Sequence, residues 1–337
     1  MAPSVSTDTA TEDRLLDVQG LVTVFDTEDG VVQAVDGVSF HVEKGKTLGI
    51  VGESGCGKSV SAMSVMRLIP EPPGRIVGGK ILWKGQDLLS LETDALPEIR
   101  GNQIAMIFQD PMTSLNPVFT IRKQLGEVLE KRFDLVGEAA DQRMIEVLGM
   151  VGIADAEDRL GQYPHELSGG MKQRIMIAMA LMCRPDLLIA DEPTTALDVT
   201  VQAQILYLMK QLQEELGTAI ILITHDMGVI AETCDDVAVM YAGKVVERCE
   251  VTELFDAARH PYTRGLLESI PRRGVSKDQA LTTIEGVVPS LLDPPVGCRY
   301  ADRCAHADET CRAQDPLLDE ISSSHWSACH HPLEVVP

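Results

Sequence analysis

Eight residues, "GESGCGKS" from Gly52 to Ser59, set three glycines, a lysine and a hydroxyl in an order suited to holding phosphate. Glycines let successive backbone N–H groups turn inward around phosphate oxygens, and a helix that follows adds the positive end of its dipole. In the pattern G-x-x-x-x-G-K-[ST], Lys58 would neutralise the β- and γ-phosphates of a nucleoside triphosphate. The Ser59 hydroxyl would ligate Mg²⁺. The nucleotide would then lie against Gly52, Glu53, Ser54, Gly55, Cys56, Gly57, Lys58, Ser59 and Val60.

A second stretch, "LLIADEP" from Leu187 to Pro193, is an apolar run ending in two carboxylates. In an open α/β sheet, ligands sit at the C-terminal tips of the strands, where Asp191 and Glu192 would stand. Asp191 would hold the water shell of the Mg²⁺, and Glu192 would orient and polarise the attacking water. Pro193 is expected to keep Glu192 extended, because a residue before proline avoids the helical region. Together the two stretches describe a nucleoside triphosphatase.

A third stretch, "LSGGMKQR" from Leu167 to Arg174, places Ser168, Gly169 and Gly170 just before a helical run. That is another helix start ready for an anion. A chain with its own phosphate loop has no need of a second, unless one nucleotide is shared between two subunits.

The elements that must position these residues are legible from periodicity. "LLDVQGLVTVF" and "VSFHVEKG" alternate and carry β-branched residues, which predicts antiparallel strands. "KTLGIV" reads as a strand before the glycine turn, and a helix follows with Val60, Met63 and Met66 on one face. "QIAMIF", "LLIAD" and "AIILIT" are continuous apolar runs, as in parallel strands buried on both faces. Residues 112–184 read as mostly helical, with Ile121, Leu125 and Val128 in register. "DVAVMYAGKVVERC" reads as a hairpin turning at Ala242–Gly243. After about residue 258 the texture becomes proline-rich and irregular.

With these residues in place, the chain resembles the ATP-binding cassette family from residue 13 to about 258. Gln109 in "FQDP", Asp198 in "ALD" and His225 in "ITHD" follow in the family's order. The resemblance implies that Gln109 contacts Mg²⁺ and hinges a helical subdomain. It implies that Ser168 and Gly170 touch the γ-phosphate held by a partner, that Asp198 lies at the dimer seam, and that His225 completes the hydrolytic site with Glu192. One departure is the adenine platform: the family stacks an aromatic ring there, whereas "DGVVQAV" has valines at 31 and 32, and Phe25 is the nearest ring upstream.

"AMIFQDPMTSLNP", "YPHELSGGMKQR", "HPYTRGLL" and "GVVP" further resemble the ATPase subunits of dipeptide/oligopeptide importers. The implied fold is α/β: a P-loop NTPase core with an antiparallel β subdomain and an inserted helical subdomain, followed by a small, irregular, cysteine-rich C-terminal domain. The expected division is a disordered tail at 1–12, a nucleotide-binding domain at 13–258 and a C-terminal domain at 259–337. Two transmembrane permease subunits, a second ATPase of similar sequence and an extracytoplasmic substrate-binding protein are the implied partners. An importer ATPase for another small solute, such as nickel or a sugar, is the alternative, and a soluble switch acting on nucleic acid or another protein is the competing class; two multi-helix membrane proteins encoded beside this chain would decide for transport.

Eight cysteines divide into two sets. Cys56, Cys183, Cys234 and Cys249 are scattered and read as small buried hydrophobes. Cys298, Cys304, Cys311 and Cys329 cluster with the spacing C-x5-C-x6-C-x17-C, which lacks the C-x2-C knuckle common in zinc ribbons. Four thiolates suit a [4Fe–4S] cluster, and the resemblance to importer ATPases points the same way. A zinc ion on the same thiolates, or unligated or disulfide-bonded thiols, are the alternatives. His306, His325, His330 and His331 stand nearby.

Composition sets the outer limits. A formal charge of −22 over 337 residues argues against nucleic acid as a main partner. No apolar run reaches the roughly 18 residues that span a bilayer, and residues 1–14 hold no basic-then-apolar leader. A peripheral position on the cytoplasmic face of the membrane is expected.

Overall fold

The computed structural model describes residues 13–109, 114–195, 197–270 and 283–334; the expected tail at 1–12 lies outside them. The chain forms two compact units. One comprises residues up to Leu48, Gly52–Leu91 and Asp235 onward, and the other Gly49–Val51 and Glu92–Cys234.

In the first unit, β1 (Arg14–Thr27) and β2 (Gly30–Glu43) pair antiparallel, as their alternation predicts. β4 (Gly74–Trp83) pairs with the other side of β1, and β5 (Gln86–Asp87) closes the order β2-β1-β4-β5. The inward residues Leu16, Val18, Leu21, Val35, Val38 and Phe40 are buried. One helix, α1 (Lys58–Val65), starts at the phosphate loop. It buries Ser61, Ala62, Ser64 and Val65, whereas Val60 and Met63 are half-buried. Of the expected face, only Met66 at the C-terminal end of the helix is fully buried. Ser64 Oγ lies 2.9 Å from the hydroxyl of buried Thr23, and this polar pair lets a serine sit inside.

β9 (Asp236–Tyr241) and β10 (Lys244–Glu250) form the expected hairpin, with Ala242 (φ 44°) and Gly243 (φ 85°) at its turn. Beyond it come α8 (Val251–Ala257), α9 (Pro261–Glu268), α10 (Glu309–Ala313), β11 (Asp319–Ser322) and β12 (His325–Ser327). β12 pairs antiparallel with β10, and β11 with β12, so the region past residue 258 adds two strands to the hairpin.

In the second unit, β6 (Ile104–Ile107), β7 (Leu187–Asp191) and β8 (Ala219–Thr224) are parallel neighbours. β3 (Thr47–Val51) neighbours β8. Every residue of β7 and β8 is buried, as expected of strands covered on both faces. Its described helices include α2 (Ile121–Phe133), α3 (Gly137–Met150), α4 (Ala156–Leu160), α5 (Gly169–Leu181), α6 (Val199–Leu216) and α7 (Met227–Thr233). α2 buries Ile121, Leu125 and Leu129, spaced four apart; Val128 is only half-buried and packs against the edge of the same core.

Candidate nucleotide site

The phosphate loop belongs to the first unit. Gly52 (φ 157°) and Gly57 (φ 100°) adopt backbone that a side chain would obstruct. A Cβ on Gly57 would overlap the Ala34 carbonyl oxygen, and one on Gly52 would overlap that of Met240. Lys58 is almost wholly buried, and its Nζ donates to the carbonyls of Gly52 (2.8 Å) and Glu53 (3.0 Å). The ammonium is thus folded back onto its own loop. Cys56 is buried there too, and burial raises its thiol pKa.

Glu53 is held from outside the loop. Its N–H donates to the Tyr262 hydroxyl at 3.0 Å, and its carboxylate accepts from Arg303 at 2.6 and 3.0 Å. Neither partner is suggested by local sequence pattern.

The second unit assembles the acidic residues. Asp191 ends β7 and is buried. Glu192 follows with φ 45°, in the left-handed region and not extended as Pro193 led us to expect. Its N–H still donates to Ile223 O on β8 (2.9 Å), while its carbonyl accepts from Thr195 N (3.2 Å). Those two bonds pull the backbone into a turn that overrides the pre-proline preference, and strain of this kind gathers at functional positions. The Glu192 carboxylate then gathers three groups. Oε2 accepts from Gln109 Nε2 (3.2 Å) and Thr195 Oγ1 (2.8 Å), and Oε1 lies 3.5 Å from His225 Nδ1. Thr195 was not anticipated, although a hydroxyl three residues after a carboxylate at a turn was the available signal.

Ser168 is the exposed N-cap of α5, its Oγ accepting from Met171 N at 3.3 Å. Asp198 is the exposed N-cap of α6 and accepts from Thr200 N (3.1 Å) and Val201 N (3.0 Å). The two caps are close. A Cβ on Gly170 would stand 2.9 Å from Val201 Cγ1, and one on Gly169 would stand 3.7 Å from Leu197.

Residues 35–195 match the family model for ABC transporters, and residues 246–311 match that of the oligopeptide/dipeptide transporter C-terminal region. A probable peptide ABC transporter ATP-binding protein of Sinorhizobium fredii is 54% identical over 324 residues, 96% of this chain and 97% of its own. The chain belongs to the ABC transporter family. The oligopeptide transport ATP-binding protein OppD of Bacillus subtilis is 53% identical over 93% of this chain and 87% of its own length. Its dipeptide counterpart DppD in the same organism is 50% identical over 94% of each. Among solved structures, the dimeric ABC cassette MJ0796 bound to ADP and Pi matches with TM-score 0.62 at 26% identity, covering 70% of this chain and 98% of its own. The chain is thus an ABC ATPase, with the α/β cassette fold expected of it. Among the described residues no helix is long and apolar enough to cross a membrane.

A further feature of the first unit is the cysteine cluster. Cys298, Cys304, Cys311 and Cys329 line one pocket, with His260 and Tyr300 also in its wall. Cys298 N donates to Cys311 O at 2.7 Å, and His306 N donates to the Cys304 sulfur at 3.4 Å. Burial raises the Cys298, Cys304 and Cys329 thiols, and the crowding of neighbouring thiols adds to it; Cys329 reaches about 11. His331 lies 2.9 Å from Asp308, and donors of both lie within 4.8 Å of the Cys311 sulfur. His325 is not in this wall; it bonds Glu247 elsewhere. Of the scattered cysteines, Cys56 and Cys249 are buried, but Cys183 and Cys234 only partly so.

Proposed function

We propose that this chain is the ATP-hydrolysing subunit powering import of dipeptides or oligopeptides through a membrane ABC transporter. The observation that carries the reading is the pairing of an ABC cassette with an oligopeptide/dipeptide transporter C-terminal region in one chain. In this reading the phosphate loop, Gly52 to Val60, binds ATP. Ser59, Asp191 and Gln109 would each offer an oxygen donor of the kind that suits Mg²⁺, which would neutralise developing phosphate charge. Glu192 takes the role of orienting the attacking water, with Gln109, Thr195 and His225 fixing its carboxylate.

Ser168, Gly169, Gly170 and Asp198 would meet the ATP held by a second ATPase subunit, a paralogue in a heterodimer. Two permease subunits at the cytoplasmic face, and an extracytoplasmic binding protein, would complete the importer. Support for permease docking comes from an open groove in the second unit, lined by Phe108, Phe119, Val128, Lys131, Met176 and Met179. Phe108 and Phe119 are more than two-fifths exposed, and an amphipathic helix of a permease would cover them.

Four thiols lining one pocket, whose thiolates would repel one another, fit a bound metal group, because a cation lowers their pKa and removes that repulsion. We assign Cys298, Cys304, Cys311 and Cys329 as ligands of a [4Fe–4S] cluster, with zinc as the alternative. Such a group would cross-link a region poor in apolar core, and ATP hydrolysis needs no electron from it. The deciding experiment is purification of the intact complex with identification of its subunits, followed by peptide-stimulated ATP hydrolysis in vesicles. A complex that hydrolyses ATP in response to peptides establishes the reading; a complex answering only to another solute overturns the cargo.

A further inference from the structure

Arg303 lies in a short 3₁₀ turn, Ala301–Arg303, directly before Cys304, and its side chain is only 4% exposed. A guanidinium has five N–H donors, and in a buried setting each needs an acceptor. All five are used here. Nε donates to Glu285 O (2.9 Å), one terminal nitrogen to Glu53 Oε2 (2.6 Å) and the Tyr241 hydroxyl (3.2 Å), the other to Glu53 Oε1 (3.0 Å) and Ile284 O (3.2 Å). Glu53 is the second residue of the phosphate loop, 250 residues away in sequence. Its N–H is held by the hydroxyl of Tyr262, which packs on Tyr241 and Tyr300 with ring centroids 4.7 and 5.4 Å apart. Its carbonyl, in turn, is one of the two on which the Lys58 ammonium rests.

We propose that Arg303 is a positioning residue for ATP binding: through its two-pronged grip on the Glu53 carboxylate, it holds the phosphate loop in the form that admits ATP. The cysteine-rich segment is then a prerequisite of the nucleotide site and not an appendage to it. A two-pronged Arg–carboxylate pair fixes orientation as well as distance, which a lysine cannot do. Without it, Glu53 keeps one anchor at Tyr262 and its carbonyl is free to turn away from Lys58. This inference rests on the reading of "GESGCGKS" as the ATP phosphate cradle.

The test uses the full-length chain, a fluorescent non-hydrolysable ATP analogue, and the variants Glu53→Gln, Arg303→Met, Arg303→Lys and the double Glu53→Gln/Arg303→Met. Glu53→Gln and Arg303→Met should each weaken analogue binding and raise KM for ATP by about tenfold, and in Arg303→Met kcat at saturating ATP should change by less than about threefold. Arg303→Lys should recover part of the affinity, and the double variant should be no more than about twofold weaker than either single one. Metal content and melting temperature are read in parallel. Glu53→Gln leaves the cysteine segment untouched, so analogue binding in that variant within about twofold of the parent overturns the proposal, even if Arg303→Met unfolds. A parent chain that binds no ATP analogue at all would instead overturn the phosphate-cradle reading on which it rests.

Discussion

The side-chain amide of Gln109 donates to Oε2 of Glu192 across 3.2 Å, although 83 residues separate them. The same oxygen accepts from Thr195, and the other oxygen faces His225. Glu192 is only 15% exposed at its side chain, so its carboxylate is aimed by neighbours and not by solvent. A carboxylate held in this way can direct a water molecule.

Glu192→Gln should therefore reduce steady-state ATP hydrolysis by about 10²–10⁴-fold while ATP affinity stays close to that of the parent. The amide preserves shape and can still bond Gln109 and Thr195, but it cannot polarise water. Phosphate release under saturating ATP checks the rate, and the variant should accumulate as an ATP-locked dimer by gel filtration. Retention of most of the parent turnover would remove Glu192 from the site.

Ser168→Arg should poison hydrolysis without abolishing ATP binding by the chain's own loop. Ser168 is exposed at the start of α5, where a bulky cation obstructs the approach of a partner's nucleotide. Loss of the cap itself costs about 1 kcal/mol, too little to unfold the cassette. A monomeric chain that turns over at the full rate, measured beside its sedimentation profile, would contradict the shared site.

The buried pair His325 and Glu247 gives a pH dependence of stability. Glu247 accepts from Arg259 N (2.5 Å), His260 N (3.0 Å) and His325 Nε2 (2.7 Å), joining β10, the start of α9 and β12. Burial on its own would lower the His325 pKa, but its bonds to Glu247 and Glu253 raise it above the ordinary value. The folded state thus holds the imidazolium more tightly than the unfolded state does. The stability it supplies is fully present below about pH 6.5 and is lost as pH rises through the higher folded value. Melting temperature should fall across that window in the parent and stay flatter in His325→Gln. Removing one partner of this buried pair should cost about 3–5 kcal/mol, read by urea unfolding.

Protein purified without oxygen should be brown, absorb broadly near roughly 400 nm and hold about four irons per chain. Cys298→Ser, Cys304→Ser, Cys311→Ser and Cys329→Ser should each lose most of that iron, since all four line one pocket. Colourless protein with one zinc per chain assigns the same thiols to zinc.

The sequence by itself determined the strands and placed carboxylates at the tip of one of them. Leu187–Asp191 and Ala219–Thr224 are apolar throughout because both faces are covered, and such runs read as buried strands wherever they occur. The spacing from Gly52 to Ser59 needs no distant partner to be recognised, since the loop's phosphate chemistry is written in consecutive residues. Local rules failed where distant groups outbid them. Glu192 leaves its extended preference because Ile223 and Thr195 bond its backbone, and α1 turns serines inward because Thr23 is there to meet one. Only the tertiary structure decided that Gln109, Thr195 and His225 share one carboxylate, that Arg303 reaches Glu53, and that four cysteines spread over 32 positions from Cys298 to Cys329 face one pocket. Periodicity records which side of its own element a residue faces. It holds no record of which element lies opposite, and these bonds depend on that.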